Sequence, residues 1–131
     1  MDKNPRVKTI KQAQKETQMY REISRLFAQI TRDDSRLDGL FVNSVTLSPD
    51  KGMCSINIYT AAGKEAFDEL KKILILYKPS LRKALADSID ARRVPDLLFK
   101  FDRQFDKVQR LEELLEKIKT EEPEPTEEPV S

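Results

Sequence analysis

The order of hydrophobic periods along this chain predicts an α+β fold with the element order α-β-β-α-α-β-α. Three observations carry that prediction. Two short runs of alternating residues flank a turn-like "SPDKG", and a third alternation, "DLLFKFD", follows Val94-Pro95. Every other apolar stretch repeats at helical spacing. Three strands with helices that must cover one face make a two-layer sandwich.

Residues 8–31 read as an amphipathic helix. Ala13, Tyr20 and Phe27 recur every seven residues, with Met19, Ile23, Leu26 and Ile30 on the same side. The turn chemistry of "TRDDSRLDG" ends it. In "LFVNSVTL", Phe41, Val45 and Leu47 share one face and Asn43 is the odd member. In "MCSINIYT", Cys54, Ile56 and Ile58 alternate with Ser55, Asn57 and Tyr59. Pro49 and Gly52 suit the turn between them, so the pair is expected to be an antiparallel hairpin with one buried face.

Helical spacing returns in "KEAFDELKKILILY" through Phe67, Leu70, Ile73, Leu74 and Tyr77. Pro79 then either kinks this helix or opens a new one, because proline lacks a donor and suits a first helical turn. Leu81, Ala84, Leu85 and Ile89 face inward on the continuation, which Val94-Pro95 stops no later than Arg93. Leu97, Phe99 and Phe101 line one side of the third strand. Val108, Leu111, Leu114, Leu115 and Ile118 mark a final amphipathic helix.

The 131 residues fit one domain, expected over residues 1–119 and followed by an acidic tail at 120–131. The last eleven residues hold five glutamates, three prolines and no lysine or arginine, so disorder is expected there. The net charge is +1 overall and +6 for residues 1–120, a basic body suited to polyanion partners. Cys54 stands alone in a strand-like run, which reads as a buried, reduced thiol. No apolar run approaches the roughly 20 residues that cross a membrane, and the N-terminus lacks the apolar centre of a signal peptide. A cytoplasmic protein with no membrane partner is expected.

Several chemistries are poorly provided for. The chain has no histidine, which removes the commonest general base and metal ligand. One cysteine without histidine makes neither a zinc site nor a Cys–His pair. Gly39, Gly52 and Gly63 fall in no phosphate-cradling pattern. Acidic pairs such as Asp33-Asp34 and Glu112-Glu113 sit in charged helical or turn contexts, although folding could assemble a carboxylate pair from elsewhere. No metal, cofactor or catalytic residue is expected.

Basic residues remain. Lys71, Lys72, Lys78, Arg82, Lys83, Arg92 and Arg93 face only Asp87 and Asp90 in the same stretch, with Lys8, Lys11 and Arg25 as outlying support. On a continuous helix Arg82 and Arg93 point within roughly 20° of each other, a row that could follow a phosphate backbone. Phe41, Phe67, Phe99 and Phe101 read as core, so binding by phosphate contact and shape is favoured over base stacking. The alternatives are an ordinary solvated face, or Arg92 and Arg93 capping helix carbonyls or pairing with Asp87 or Asp90.

Two segments, "DSRLDGLFVNSVTLSPDKGMCSINIYT" and "LRKALADSIDARRVPDLLFKFD", with the closing "RLEELLEKIK", resemble the ribosome-binding factor A family in order and over most of residues 8–119. The second resembles that family's Leu-Arg, then Arg-Val-Pro-Asp/Glu-Leu segment and its aromatic strand ending in Asp. The resemblance implies a KH-like type II domain, α-β-β-α-α-β, with a C-terminal helix. It further implies binding to free small (30S) ribosomal subunits and help in late processing and folding of 16S rRNA at its 5′ region. Release with the help of assembly GTPases or initiation factors, a role greatest in the cold, and a monomeric state are part of the same expectation. KH domains that grip single strands carry a GxxG loop, and this family commonly has an Ala-x-Gly kink there. The matching positions here are Tyr77, Lys78 and Pro79, without glycine.

The leading expectation is therefore a non-enzymatic assembly factor touching RNA through its basic face. A protein-interaction adaptor using the apolar stripes of the first and last helices is the alternative, and a carboxylate hydrolase a distant third. The acidic tail reads either as a solubilising extension or as an RNA mimic that competes for the basic face.

Overall fold

A computed structural model describes residues 9–89 and 94–121. Helix α1 (Ile10–Asp33) leads through a 3-10 turn (Ser35–Leu37) into strands β1 (Phe41–Leu47) and β2 (Met53–Tyr59). Helices α2 (Lys64–Leu76) and α3 (Lys78–Ser88) precede β3 (Asp96–Phe101), and α4 (Arg103–Glu121) follows it. The expected α+β order is present. The sheet order is β1-β2-β3, antiparallel between β1 and β2 and parallel between β2 and β3. The connection through α2 and α3 makes that parallel pairing possible.

The core lies between one sheet face and helices α1 to α3. Cys54, Ile56, Ile58, Leu97, Phe99 and Phe101 come from the sheet, and Met19, Ile23, Phe27, Phe67, Leu74, Leu81 and Leu85 from the helices. Full burial of a large aliphatic or aromatic side chain contributes about 1.5–3 kcal/mol, so this cluster dominates stability.

Helix α1 departs from the sevenfold stripe. Ala13 and Tyr20 are exposed, and the inward face instead includes Glu16, which is 8% exposed. The Glu16 carboxylate accepts the backbone N–H of Leu47 at 2.7 Å, while Gln12 Nε2 donates to the Leu47 carbonyl at 3.0 Å. One turn of helix thus satisfies both backbone groups of a residue on the sheet's edge strand.

Strand β1 corrects the sequence reading of Phe41. The register shifts between Val42 and Ser44, leaving Asn43 as a bulge. An extra residue inverts the alternation behind it. Val45 and Leu47 stay buried, whereas Phe41 is 62% exposed. Asn43 Nδ2 donates to Asp102 at 3.3 Å, across the sheet. In the hairpin turn the left-handed residue is Lys51 (φ 61°), not Gly52, and Asp50 accepts from the N–H of Gly52 at 3.0 Å.

Pro79 opens a new helix rather than kinking one. It stands in the first turn of α3, and Tyr77 between the helices keeps an ordinary right-handed backbone (φ −86°, ψ −7°). The corner therefore requires no glycine. Helix α3 ends at Ser88, where Ile89 turns extended (φ −111°, ψ 135°) and becomes buried. A continuous helix carrying Arg82 and Arg93 in one row is thereby excluded.

Helix α4 starts at Asp102, whose carboxylate accepts the Phe105 N–H at 3.1 Å as an N-cap. Phe105 sits edge-on to Tyr59 with centroids 4.7 Å apart. Gly63 (φ +99°) leaves room for Arg110, whose Nη2 would lie 3.1 Å from a Cβ there. These contacts anchor the first two turns. Residues 111–120 are exposed on every side, so the rest of the helix projects from the body.

Candidate nucleic-acid interface

Strand β3 is an edge of the sheet, and basic side chains flank it from end to end. At its first residue, Lys78 Nζ stands 4.0 Å from Asp96. One turn along α3, Arg82 donates to the carbonyls of Val94 at 3.2 Å and Pro95 at 3.4 Å. These two residues fasten α3 to the corner before β3, which makes Arg82 a brace as well as a surface charge.

At the other end, α2 and β3 enclose a shallow groove of about 430 Å³. Lys64, Lys71, Lys100 and Arg103 surround its apolar floor of Phe67, Leu98, Phe99 and Phe101. Lys64 and Lys71 are seven residues apart, two helical turns on one face of α2. Lys100 points off the strand and Arg103 opens α4. Asp68 pairs with Lys64 at 2.8 Å. Lys71, Lys100 and Arg103 make no ion pair or side-chain hydrogen bond among the described residues. Three cations without an ion pair among the described residues, set around an apolar floor, can hold phosphate oxygens.

Of the residues singled out from sequence, the fold brings together Lys71, Lys78 and Arg82 along the β3 edge. Lys72 and Lys83 lie exposed on the same two helices, Lys72 opposite Glu69 at 3.4 Å and Lys83 without an ion pair among the described residues. Arg25 pairs with Glu22 at 3.0 Å and reaches Ser88, bridging α1 to α3. Lys11 is exposed on α1. Arg92, Arg93, Lys8 and the 122–131 segment fall outside the described residues.

Sequence reasoning missed Lys64, Lys100 and Arg103. Lys100 and Arg103 lie beyond the basic cluster in sequence, and only the parallel placement of β3 beside α2 joins them to Lys71. Their signal was the outward position of Lys100 in "DLLFKFD" and the cation directly after it.

Other features belong to the scaffold. Arg36 and then Tyr77 hydrogen-bond to Asp34, and together they hold its carboxyl well below the usual carboxylate range. Burial, with Glu16 nearby, pushes the Cys54 thiol up to about 12. Among the described residues no cluster of three or more Cys, Asp or Glu could hold a metal ion. Glu112 and Glu116, two acids that share a groove, lie on successive turns of the exposed α4 rather than in a closed cavity. No helix of the described residues is long and apolar enough to cross a membrane.

Comparison with known proteins follows the same outline. The family model described as ribosome-binding factor A matches residues 11–115. A ribosome-binding factor A of Syntrophomonas wolfei is 31% identical over 112 residues, covering 82% of this chain and 92% of that protein. One from Rhodopseudomonas palustris is 32% identical over 95 residues, covering 71% and 69%. The crystal structure of ribosome-binding factor A from Thermus thermophilus superposes with a TM-score of 0.58 at 29% identity, covering 70% of this chain and 97% of that one. A Thermotoga maritima solution structure shares the fold, with a TM-score of 0.62 at 19% identity, over 72% and 89% of the two chains. The match spans α1 through most of α4 and includes every element that builds the β3 edge, and the chain belongs to the ribosome-binding factor A family.

Proposed function

We propose that this protein binds free small (30S) ribosomal subunits and assists late folding and processing of 16S rRNA, acting at the 5′ region. The family is one of binding factors rather than enzymes. The observation that carries the reading is the group of cations without an ion pair among the described residues, Lys71, Lys100 and Arg103, around the groove at the open edge of β3. Lys71, Lys72, Lys78, Arg82, Lys83, Arg92 and Arg93 are the proposed RNA contacts, joined by Lys100 and Arg103. Binding stabilises one arrangement of a mobile RNA segment by differential affinity, with no bond made or broken. On this reading the protein acts in the cytoplasm, matters most in the cold, and is released with the help of assembly GTPases.

The test is co-sedimentation. The protein should travel with free small subunits, scarcely with intact ribosomes, and less as salt rises. Equal association with both particles, or with neither, would overturn the reading.

One observation favours a second, protein-directed contact. The apolar stripe of α4 is exposed, whereas that of α1 is spent on the core through Met19, Ile23 and Phe27. The adaptor reading therefore narrows to α4.

A further inference from the structure

Two aromatic rings left out of the core line one hollow. Phe41 is 62% exposed and Tyr20 39%, and neither meets another ring among the described residues. Stacking an unpaired base needs rings of this kind. The hollow lies between α1 and the start of β1, at the sheet edge opposite the basic groove. Its volume is about 360 Å³, the size of a small-ligand site.

Helix α1 and the turn after it set the lining. Tyr20, Ser24 and Ala28 follow at four-residue steps on one face, with Thr31 a turn further on. The small Ala28 leaves the middle of that row open. Across from it, Gly39 adopts φ +91°, where a side chain would be strained, and this turn brings the exposed Asp38 to the hollow.

Polar groups in the hollow lack partners. The Ser24 hydroxyl is buried and makes no hydrogen bond among the described residues, which favours a ligand that supplies one. The Asp38 carboxylate has no ion pair or side-chain hydrogen bond among them either. A carboxylate only accepts. Guanine alone among the four bases offers two adjacent N–H donors on one edge, N1–H and N2–H, and these match the two oxygens.

Charge says that the ring arrives on a nucleotide chain. Tyr20 and Thr31 end the row, and the residue after each is an arginine. Arg21 and Arg32 are exposed and without an ion pair among the described residues. They stand about 16 Å apart along the axis and within roughly 20° around it. A strand lying along α1 would meet a cation on each side of a base seated between them. An apolar peptide would use neither the arginines nor the carboxylate.

We propose that this hollow takes one unpaired RNA base, guanine ahead of the others, stacked on Phe41 and Tyr20 and read by Ser24 and Asp38, with Arg21 and Arg32 on its flanking phosphates. The proposal rests on RNA being the partner, and it adds a second point of contact at the other edge of the sheet. Phosphate contacts in the β3 groove fix position, whereas this site recognises a base.

Amide shifts of the isotope-labelled full chain, titrated with the RNA pentanucleotides UUGUU and UUUUU, test the site. UUGUU should shift Tyr20, Gly39 and Phe41, and bind roughly tenfold tighter than UUUUU. Phe41→Ala should weaken UUGUU binding roughly tenfold with unchanged circular dichroism, since the ring is mostly in solvent. Asp38→Ala should erase the preference for guanine and leave UUUUU binding as it was. No shift at those three residues by about 1 mM oligonucleotide, equal affinity for the two sequences, or indifference to Phe41→Ala would overturn the proposal. Shifts confined to Lys71, Lys100 and Arg103 would overturn it too, while leaving RNA as the partner. If the three residues shift as described but small subunits fail to bind, the subunit reading fails and the base site stands.

Discussion

The Tyr77 hydroxyl donates to the Asp34 carboxylate at 2.7 Å, tying the corner between α2 and α3 to the end of α1. Arg36 donates to both oxygens of the same carboxylate, sharing Oδ2 with Tyr77. The corner has neither glycine nor an unusual backbone angle, so side chains hold it.

Because Asp34 is held below its usual range when folded, its charged form favours the native state. That contribution is complete above the unfolded carboxylate value, near 4, and is lost as pH falls through the folded value. Urea midpoints should drop as pH falls below about 4. Asp34→Asn should be less stable than the parent at neutral pH and show a shallower acid decline. An unchanged acid decline would remove Asp34 from the account.

Glu16→Ala should cost about 1–3 kcal/mol, since it leaves the Leu47 N–H unsatisfied at a site where water has little access. Denaturant titration of the variant gives the number. A loss within a few tenths of a kcal/mol would mean that water replaces the carboxylate.

Arg82→Ala should lower stability by about 1–2 kcal/mol, through its two lost carbonyl contacts, and also weaken RNA binding. Combined Lys71→Glu, Lys100→Glu and Arg103→Glu should leave stability nearly unchanged while reducing small-subunit affinity at least tenfold. The salt dependence should flatten by roughly 0.7–0.9 for each phosphate contact removed. Charge reversal at Arg92 and Arg93 in an otherwise native chain tests whether that pair shares the interface.

Cys54 should resist thiol reagents at neutral pH, because burial keeps its thiol protonated. Its labelling rate in native buffer should track the opening of the sheet and rise sharply with urea.

Period and punctuation made much of the fold legible. Ile56, Ile58, Leu97 and Phe99 alternate because a sheet with one covered face requires it, and Pro79 marks a break by its missing donor, though whether it kinks one helix or opens another is decided only by the fold. What stayed hidden came from single residues acting over long distances. Phe41 looked inward until the Asn43 bulge reversed it, and no local rule places a bulge there. Glu16 sat unremarked within an apolar stripe because its partner, Leu47, is 31 residues away. The site divided likewise. The basic cluster between Lys71 and Arg82 is visible as composition, but its continuation through Lys100 and Arg103 exists only once β3 lies beside α2.

The pairing of β2 with β3 also sets a schedule. Met53 meets Asp96 and Ile58 meets Phe101, 43 residues along the chain in each case. The hairpin and α1 can assemble from neighbouring segments, but the central strand stays half-paired until α2, α3 and the corner before β3 have formed. Closing such a long loop is the slow part of building a sheet. During synthesis, the surface that would meet ribosomal RNA cannot exist until nearly all of the body has emerged.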